Sequence, residues 1–170
     1  MTNIGIYKES YICARRDTGI ARLVDIRDRR KEEEKDLYTL LTMDHPNINK
    51  FYEIYGDSKR LYLVTEFLTG GDLFDHTTEV EHFTEHDAAL IMKQVLSAVA
   101  HCHSKDIVHR NIKPQNLIFE AKRESAMIKL VDFTFAGLFR EKRISEVSMG
   151  TIYYMAPEVL QGLYNEKCDV

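Results

Sequence analysis

Three short runs concentrate side chains able to do chemistry: His109-Arg110-Asn111-Ile112-Lys113-Pro114-Gln115-Asn116-Leu117, Asp132-Phe133-Thr134 and Ala156-Pro157-Glu158. The amide of Asn111 can orient a hydroxyl but cannot take its proton at neutral pH. A polar pair such as Asn116 and Asp132, taken by itself, most often serves structural hydrogen bonding. Two competing patterns fail on context. His101, Cys102, His103 and His109 carry metal-ligand atoms, yet residues 101 and 103 fall near the end of a predicted helix. Asp17-Thr18-Gly19 matches the tripeptide of aspartic proteases, but Arg15-Arg16 precedes it where that chemistry needs an apolar strand.

The elements that must position these residues follow from hydrophobic patterning. Apolar runs at 4–13 and 20–26 flank a polar, glycine-containing turn and predict a hairpin; 48–55 and 61–67 around Gly56-Asp57-Ser58-Lys59-Arg60 predict a second. A charged stretch leading into Leu37, Leu40 and Leu41 predicts a helix over 29–43, stopped by His45-Pro46. Thr69-Gly70-Gly71 marks a lobe boundary. Thr84-x-x-Asp87 has the form of a capping box, and Ile91, Val95, Val99 and Cys102 share one face, so 85–104 reads as a mostly buried helix. Residues 117–120 and 128–131 read as paired short strands. This order is α+β in two lobes.

The composition agrees with a globular domain: 170 residues, 44% apolar and 29% charged. Lys plus Arg number 23 and Asp plus Glu 27, a net charge of −4 that gives no bulk attraction to nucleic acid or anionic lipid. Three dispersed cysteines offer neither a disulfide framework nor a paired zinc site and suit a reducing, cytoplasmic setting. With no long apolar window or signal-peptide pattern, no membrane association is expected.

The three runs, in this order and spacing, resemble the catalytic loop, D-F-G and A-P-E segments of protein kinases. Asp44-His45-Pro46-Asn47-Ile48, Thr69-Gly70-Gly71-Asp72-Leu73-Phe74 and 150–158 are most similar to the calcium-dependent and calmodulin-dependent Ser/Thr branch, and 164–170 to the calcium-dependent kinases of protists and plants. The resemblance implies a β-rich N-lobe over 1–66, lacking its first strand, and a partial helical C-lobe over 67–170 that ends before the central helix. The incomplete lobe leads us to expect a marginally stable or dimeric chain.

The resemblance also assigns roles, residue by residue, and exposes departures. In the Gly-rich loop, which lets backbone N–H groups approach phosphates, the three glycine positions are Asn3, Gly5 and Lys8, so only Gly5 survives. The phosphate-pairing lysine falls at Asp25 and its helical glutamate partner at Asp36, which turns an attractive pair into two facing carboxylates. Asn111 takes the position of the catalytic base, and Lys113 keeps the catalytic-loop lysine. Asn116 and Asp132 occupy the two metal-binding positions. Thr134 replaces the D-F-G glycine. Thr65 lies at the back of the nucleotide pocket, Glu66 to Leu68 form the hinge for adenine, and Asp72 stands where a ribose contact is expected. Arg110 would meet a phosphorylated activation segment, with Ser145 and Ser148 as acceptors.

These departures predict a catalytically impaired, pseudokinase-like domain with weak ATP and Mg²⁺ binding, whose partners are a nucleotide and a protein substrate or partner kinase. The alternatives are an active Ser/Thr kinase working through Lys113, Asn116 and Asp132, and a non-functional truncated fragment. No EF-hand loop pattern occurs in the chain.

Overall fold

The computed structural model describes residues 9–28, 38–79, 82–123, 125–138, 151–162 and 164–170. Strands β1 (Glu9–Ala14) and β2 (Ala21–Asp28) pair antiparallel, with Ser10 directly opposite Asp25. Their turn closes through the Arg15 carbonyl, which accepts from the Gly19 N–H at 2.7 Å. Gly19 sits at φ +69°, a conformation that lacks steric cost only without a Cβ. Strands β3 (Phe51–Gly56) and β4 (Arg60–Glu66) form the second hairpin, turned by Asp57, whose Oδ1 accepts from the Lys59 and Arg60 N–H groups at 2.7 Å each. The sheet order is β1-β2-β4-β3, antiparallel throughout.

A largely helical part follows. Helix α1 spans Leu73–Glu79 and α2 spans Glu85–Ser104. Short strands β5 (Ile107–Val108), β6 (Leu117–Phe119), β7 (Ile128–Leu130) and β8 (Gly137–Leu138) pair as β5 with β8 and β6 with β7, and α3 (Pro157–Leu160) lies further on. This is the two-lobed α+β arrangement expected from the sequence. The parts are stitched at Ile48, which bridges Leu130, and at Asn47, whose Nδ2 donates to the Ile128 carbonyl and to Gln94 Oε1, both at 2.9 Å. One core runs through both, from Leu61 and Leu63 of the sheet through Met43, Ile48 and Phe133 to Val95 and Val99 of α2. Among the described residues, no helix is long and apolar enough to cross a membrane.

The expected helix over 29–43 is described only from residue 38, and its α-helical residues end at 40. Bonds from the 41, 42 and 43 N–H groups to the 38, 39 and 40 carbonyls then tighten the chain into an i to i+3 turn. The expected strand from Ile48 begins at Phe51, because Ile48 and Asn49 bond β7 instead.

Helix α2 matches 85–104, with both arms of the Thr84–Asp87 capping box formed. It is not mostly buried, however. Ile91, Val95, Ala98, Val99 and Cys102 face the core against β7 and β5, whereas Leu90, Met92 and Leu96 on the opposite side are each about half exposed. Helix α1 has no counterpart in the sequence reading: seven residues with two threonines carry too little periodicity, and the Asp72 carboxylate starts it by accepting from the Asp75 N–H at 2.9 Å.

Candidate functional site

A cleft of about 670 Å³ lies between the sheet and the helical part. Alternation along β2 turns Leu23, Asp25 and Arg27 toward it, and alternation along β4 does the same for Leu63 and Thr65. Of the residues singled out in the sequence, Asp25, Thr65, Glu66, Leu68, Asp72 and Asp132 all line it. Gly5 and Asp36 lie outside the described residues, as do Asn3, Lys8, Ser145 and Ser148.

At the closed end Thr65 is buried, and its hydroxyl has no hydrogen-bond partner among the described residues. The following segment is fixed by pairing on both sides. The Glu66 carboxylate meets buried Lys129 at 2.9 Å, and the Glu66 N–H donates to the Lys50 carbonyl at 2.9 Å. Gly70 donates to the Phe119 carbonyl at 3.0 Å, and a Cβ at Gly70 would fall 2.5 Å from that residue's own Cβ, so only glycine allows this approach. Asp72 faces the cleft but spends Oδ1 on capping α1.

The opposite end is polar. Asp25 is only 5% exposed, and Ser10 Oγ donates to its Oδ1 at 2.7 Å. Burial pushes its carboxyl up from 3.8 to about 6; the Ser10 hydrogen bond opposes the rise, the Asp132 charge adds to it and Arg27 opposes it. The expected opposition of Asp25 and Asp36 falls partly outside the described residues; within them, the carboxylate acting on Asp25 is Asp132.

Asp132 is the hub beneath this end, in the left-handed region at φ 61° and 5% exposed. Asn111 Nδ2 donates to its Oδ2 at 2.9 Å, with Asn116 Nδ2 3.4 Å from the same oxygen. Thr134 donates to Oδ1 through Oγ1 at 2.5 Å and through its backbone N–H at 3.3 Å. The other end of the Asn111 amide is also engaged, since Thr151 Oγ1 donates to Oδ1 at 3.1 Å while Lys113 Nζ donates to that hydroxyl at 2.7 Å. Asn116 Nδ2 donates to the Asn111 carbonyl at 2.7 Å, and its buried Oδ1 has no partner among the described residues.

The frame under the hub is buried and hydrogen-bonded. His109 is fully buried, bonds the Val131 carbonyl through Nε2 at 2.9 Å and accepts the Asn111 N–H at Nδ1 at 3.3 Å. Burial holds its pKa below the usual histidine value, which matches that neutral donor-acceptor arrangement. Phe133 packs edge-on against both His109, at 4.7 Å between centroids, and Phe51, at 5.6 Å. Arg110, at φ 65°, donates through Nε to the Phe135 carbonyl at 2.6 Å.

Three contributors escaped the sequence reading. Ser10 is placed by register alone, directly across from Asp25. Thr151 joins Asn111 to Lys113 across about 40 residues, and no local pattern announces it. Asp169 accepts from the His109 and Arg110 N–H groups at 2.8 and 2.7 Å and bonds His103 Nε2 at 3.0 Å, and nothing around it in the sequence marks such reach. Among the described residues, no cluster of histidine, cysteine and carboxylates is built to hold a metal.

Comparison with known proteins gives a match to the protein kinase domain family over residues 8–170. The chain is 38% identical over 171 residues to calcium-dependent protein kinase 5 of Plasmodium berghei, covering 98% of this chain and 30% of that protein. It is 39% identical over 158 residues to calcium-dependent protein kinase 5 of Plasmodium falciparum, covering 90% of this chain and 28% of that protein. It is 42% identical over 137 residues to calcium-dependent protein kinase 4 of Plasmodium falciparum, covering 80% and 26%. The chain therefore spans less than a third of these curated relatives.

Proposed function

The chain belongs to the protein kinase family, and from that premise we propose that it is a catalytically impaired member of the calcium-dependent Ser/Thr type, acting by binding a nucleotide and a protein substrate or partner kinase in a cytoplasmic setting. One observation carries the reading: both ends of the Asn111 amide are committed, Nδ2 to Asp132 and Oδ1 to Thr151. A general base must accept a proton from the attacking hydroxyl, and an amide cannot do so at neutral pH. General-base help is worth about 10²- to 10⁴-fold, and typical kinases turn over at about 1–100 per second, so this position alone brings turnover to between about 10⁻⁴ and 1 per second.

The phosphate side points the same way. Kinase domains use ATP with Mg²⁺, which neutralises charge on the transferring phosphoryl group. Asn116 fits a metal through its free, buried Oδ1, but Asp132 meets neutral donors at both oxygens, and Asp25 puts a carboxyl where a cation should meet phosphate. The residues present therefore do not fit a magnesium ion at Asp132. The residues that remain hold and orient: Thr65 and the 66–68 segment bound the base-binding end, Asp72 borders the sugar side, and Lys113 and Thr151 fix the Asn111 amide.

Transfer of label from [γ-³²P]ATP to peptide tests this reading. The expected result is no transfer above an Asp132→Ala control, together with nucleotide affinity at or weaker than about 1 mM, the upper end of ordinary KM values. Transfer at a normal kinase rate, abolished by Asp132→Ala, would establish an active Ser/Thr kinase instead.

A further inference from the structure

We propose that Asn111 and Thr134 occupy Asp132 in place of a divalent cation, so that the cleft takes a purine-type nucleoside without metal, and takes it less well as phosphates are added. The inference rests on the nucleotide reading above and names the ligand class of that same cleft.

The two departures from the family motifs converge on one carboxylate. An aspartate at 111 could not donate when ionised, and a glycine at 134 has no side chain. Here both positions carry donors, and each reaches a different oxygen of Asp132: Asn111 Nδ2 at 2.9 Å to Oδ2 and Thr134 Oγ1 at 2.5 Å to Oδ1. Two carboxylates at such a separation would repel unless a cation lay between them, whereas an amide beside a carboxylate is attractive without one. A magnesium ion needs oxygen ligands at about 2.0–2.1 Å in octahedral array and gives up water reluctantly. To ligate Asp132 it would have to displace a buried donor and leave that donor unpaired. The substitutions are thus complementary, and together they satisfy a buried charge that the family's usual residues would leave exposed to its neighbours.

The remaining wall sets which ligand is tolerated. Asp25, Glu66, Asp72, Asp75 and Asp132 line the cleft, and Arg27 is the one basic side chain among its described lining residues. Glu66 is neutralised by Lys129, whereas Asp25 and Asp132 meet neutral donors from Ser10, Asn111 and Thr134. Each phosphate on a ligand adds negative charge opposite negative charge, with no metal to screen it. The closed end is different in kind: Leu23, Leu63, Phe51 and Val131 present apolar surface, and the unpartnered Thr65 hydroxyl offers a polar contact to a heteroaromatic edge.

Calorimetric titration of the chain with adenosine, AMP and ATP, each in EDTA and in excess MgCl₂, tests the ligand arm. The metal arm is water-proton relaxation on adding Mn²⁺ without nucleotide. The expected result is adenosine affinity equal within about twofold in both buffers, ATP weaker by roughly tenfold or more, and no bound Mn²⁺. In Asn111→Asp/Thr134→Gly, Mn²⁺ binding should appear and MgCl₂ should strengthen ATP binding by roughly tenfold. If that double variant does not fold, Thr134→Gly alone supplies the same comparison with one donor removed. A roughly tenfold gain in ATP affinity on adding MgCl₂ to the unmodified chain, or Mn²⁺ bound by it and lost in Asp132→Asn, would overturn the proposal. If no nucleoside or nucleotide binds under any condition, the nucleotide reading falls and the ligand-class claim with it. The Mn²⁺ result would still decide separately whether the two side chains replace a metal.

Discussion

The two ends of the cleft are built to different rules. At the closed end, Thr65 lines the cleft with a buried hydroxyl that has no partner among the described residues, while Gly70 is pressed against Phe119 and leaves no room for a side chain. At the other end, Asp25 is bonded by Ser10 and Asp132 by Asn111 and Thr134, so both carboxylates meet donors, while Asn116 Oδ1 is the atom there with no partner among the described residues. A buried polar atom left unpaired costs stability unless a ligand or water meets it, whereas a buried carboxylate that meets neighbouring donors is stabilised by the fold itself. Bonding is thus distributed unevenly along the one cleft, with its carboxylates met by donors and its unpaired atoms at Thr65 and Asn116.

The sharpest way to break that comparison is at Asn111. Asn111→Leu leaves the buried Asp132 oxygen without its nearest donor and should lower unfolding free energy by about 3 kcal/mol, read by urea denaturation at pH 7. An unchanged midpoint would mean that Asp132 does not depend on that donor.

Next comes pH. Asp25 keeps its proton to about pH 6 in the fold against 3.8 when unperturbed. Its contribution to stability is therefore complete below about pH 4 and is lost as pH rises through about 6, amounting to about 2–3 kcal/mol. Asp25→Asn should remove that slope, so the difference between parent and variant should vanish near pH 4 and favour the variant at pH 7.5; parallel profiles would contradict this.

At the closed end, Gly70→Ala forces a Cβ against the Phe119 and Ala121 backbone and should cost about 2 kcal/mol, seen as a lowered thermal midpoint. The smallest effect is expected at Thr65. Thr65→Val removes an unpaired buried hydroxyl at nearly constant volume, so it should be neutral or stabilising by up to about 1 kcal/mol while weakening nucleoside binding. A clear destabilisation would show that the hydroxyl already has structural work.

Much of this was legible before any coordinates, and the reason is locality. The capping box at Thr84 and Asp87, the glycine turn at Gly19 and the Asp57 turn are decided within a few residues, and their helix and hairpins follow. The kinase resemblance singled out Asn111, Asn116 and Asp132, and the structure brings these three together around the Asp132 carboxylate, with Asp25 on the cleft wall close enough for the Asp132 charge to act on it. What could not be read was cross-chain satisfaction. Thr151 meets Asn111 and Lys113 only because distant segments pack together, and the threonine at 134 reads in sequence as a replaced glycine but donates a hydrogen bond to Asp132 in three dimensions. The outer face of α2 was misjudged because periodicity reports which residues share a face, not whether a second face is also covered.

One carboxylate bears on the order in which the molecule assembles. Asp169 anchors the amides of His109 and Arg110 from sixty and fifty-nine residues away. Contacts of such span close only after the intervening chain has collapsed, because loop-closure entropy is spent before the bond is gained. The segment bearing Asn111 is therefore expected to take its final shape after the hairpins and α2, so Asp169→Ala should speed unfolding while leaving the refolding rate of the hairpins and α2 nearly unchanged.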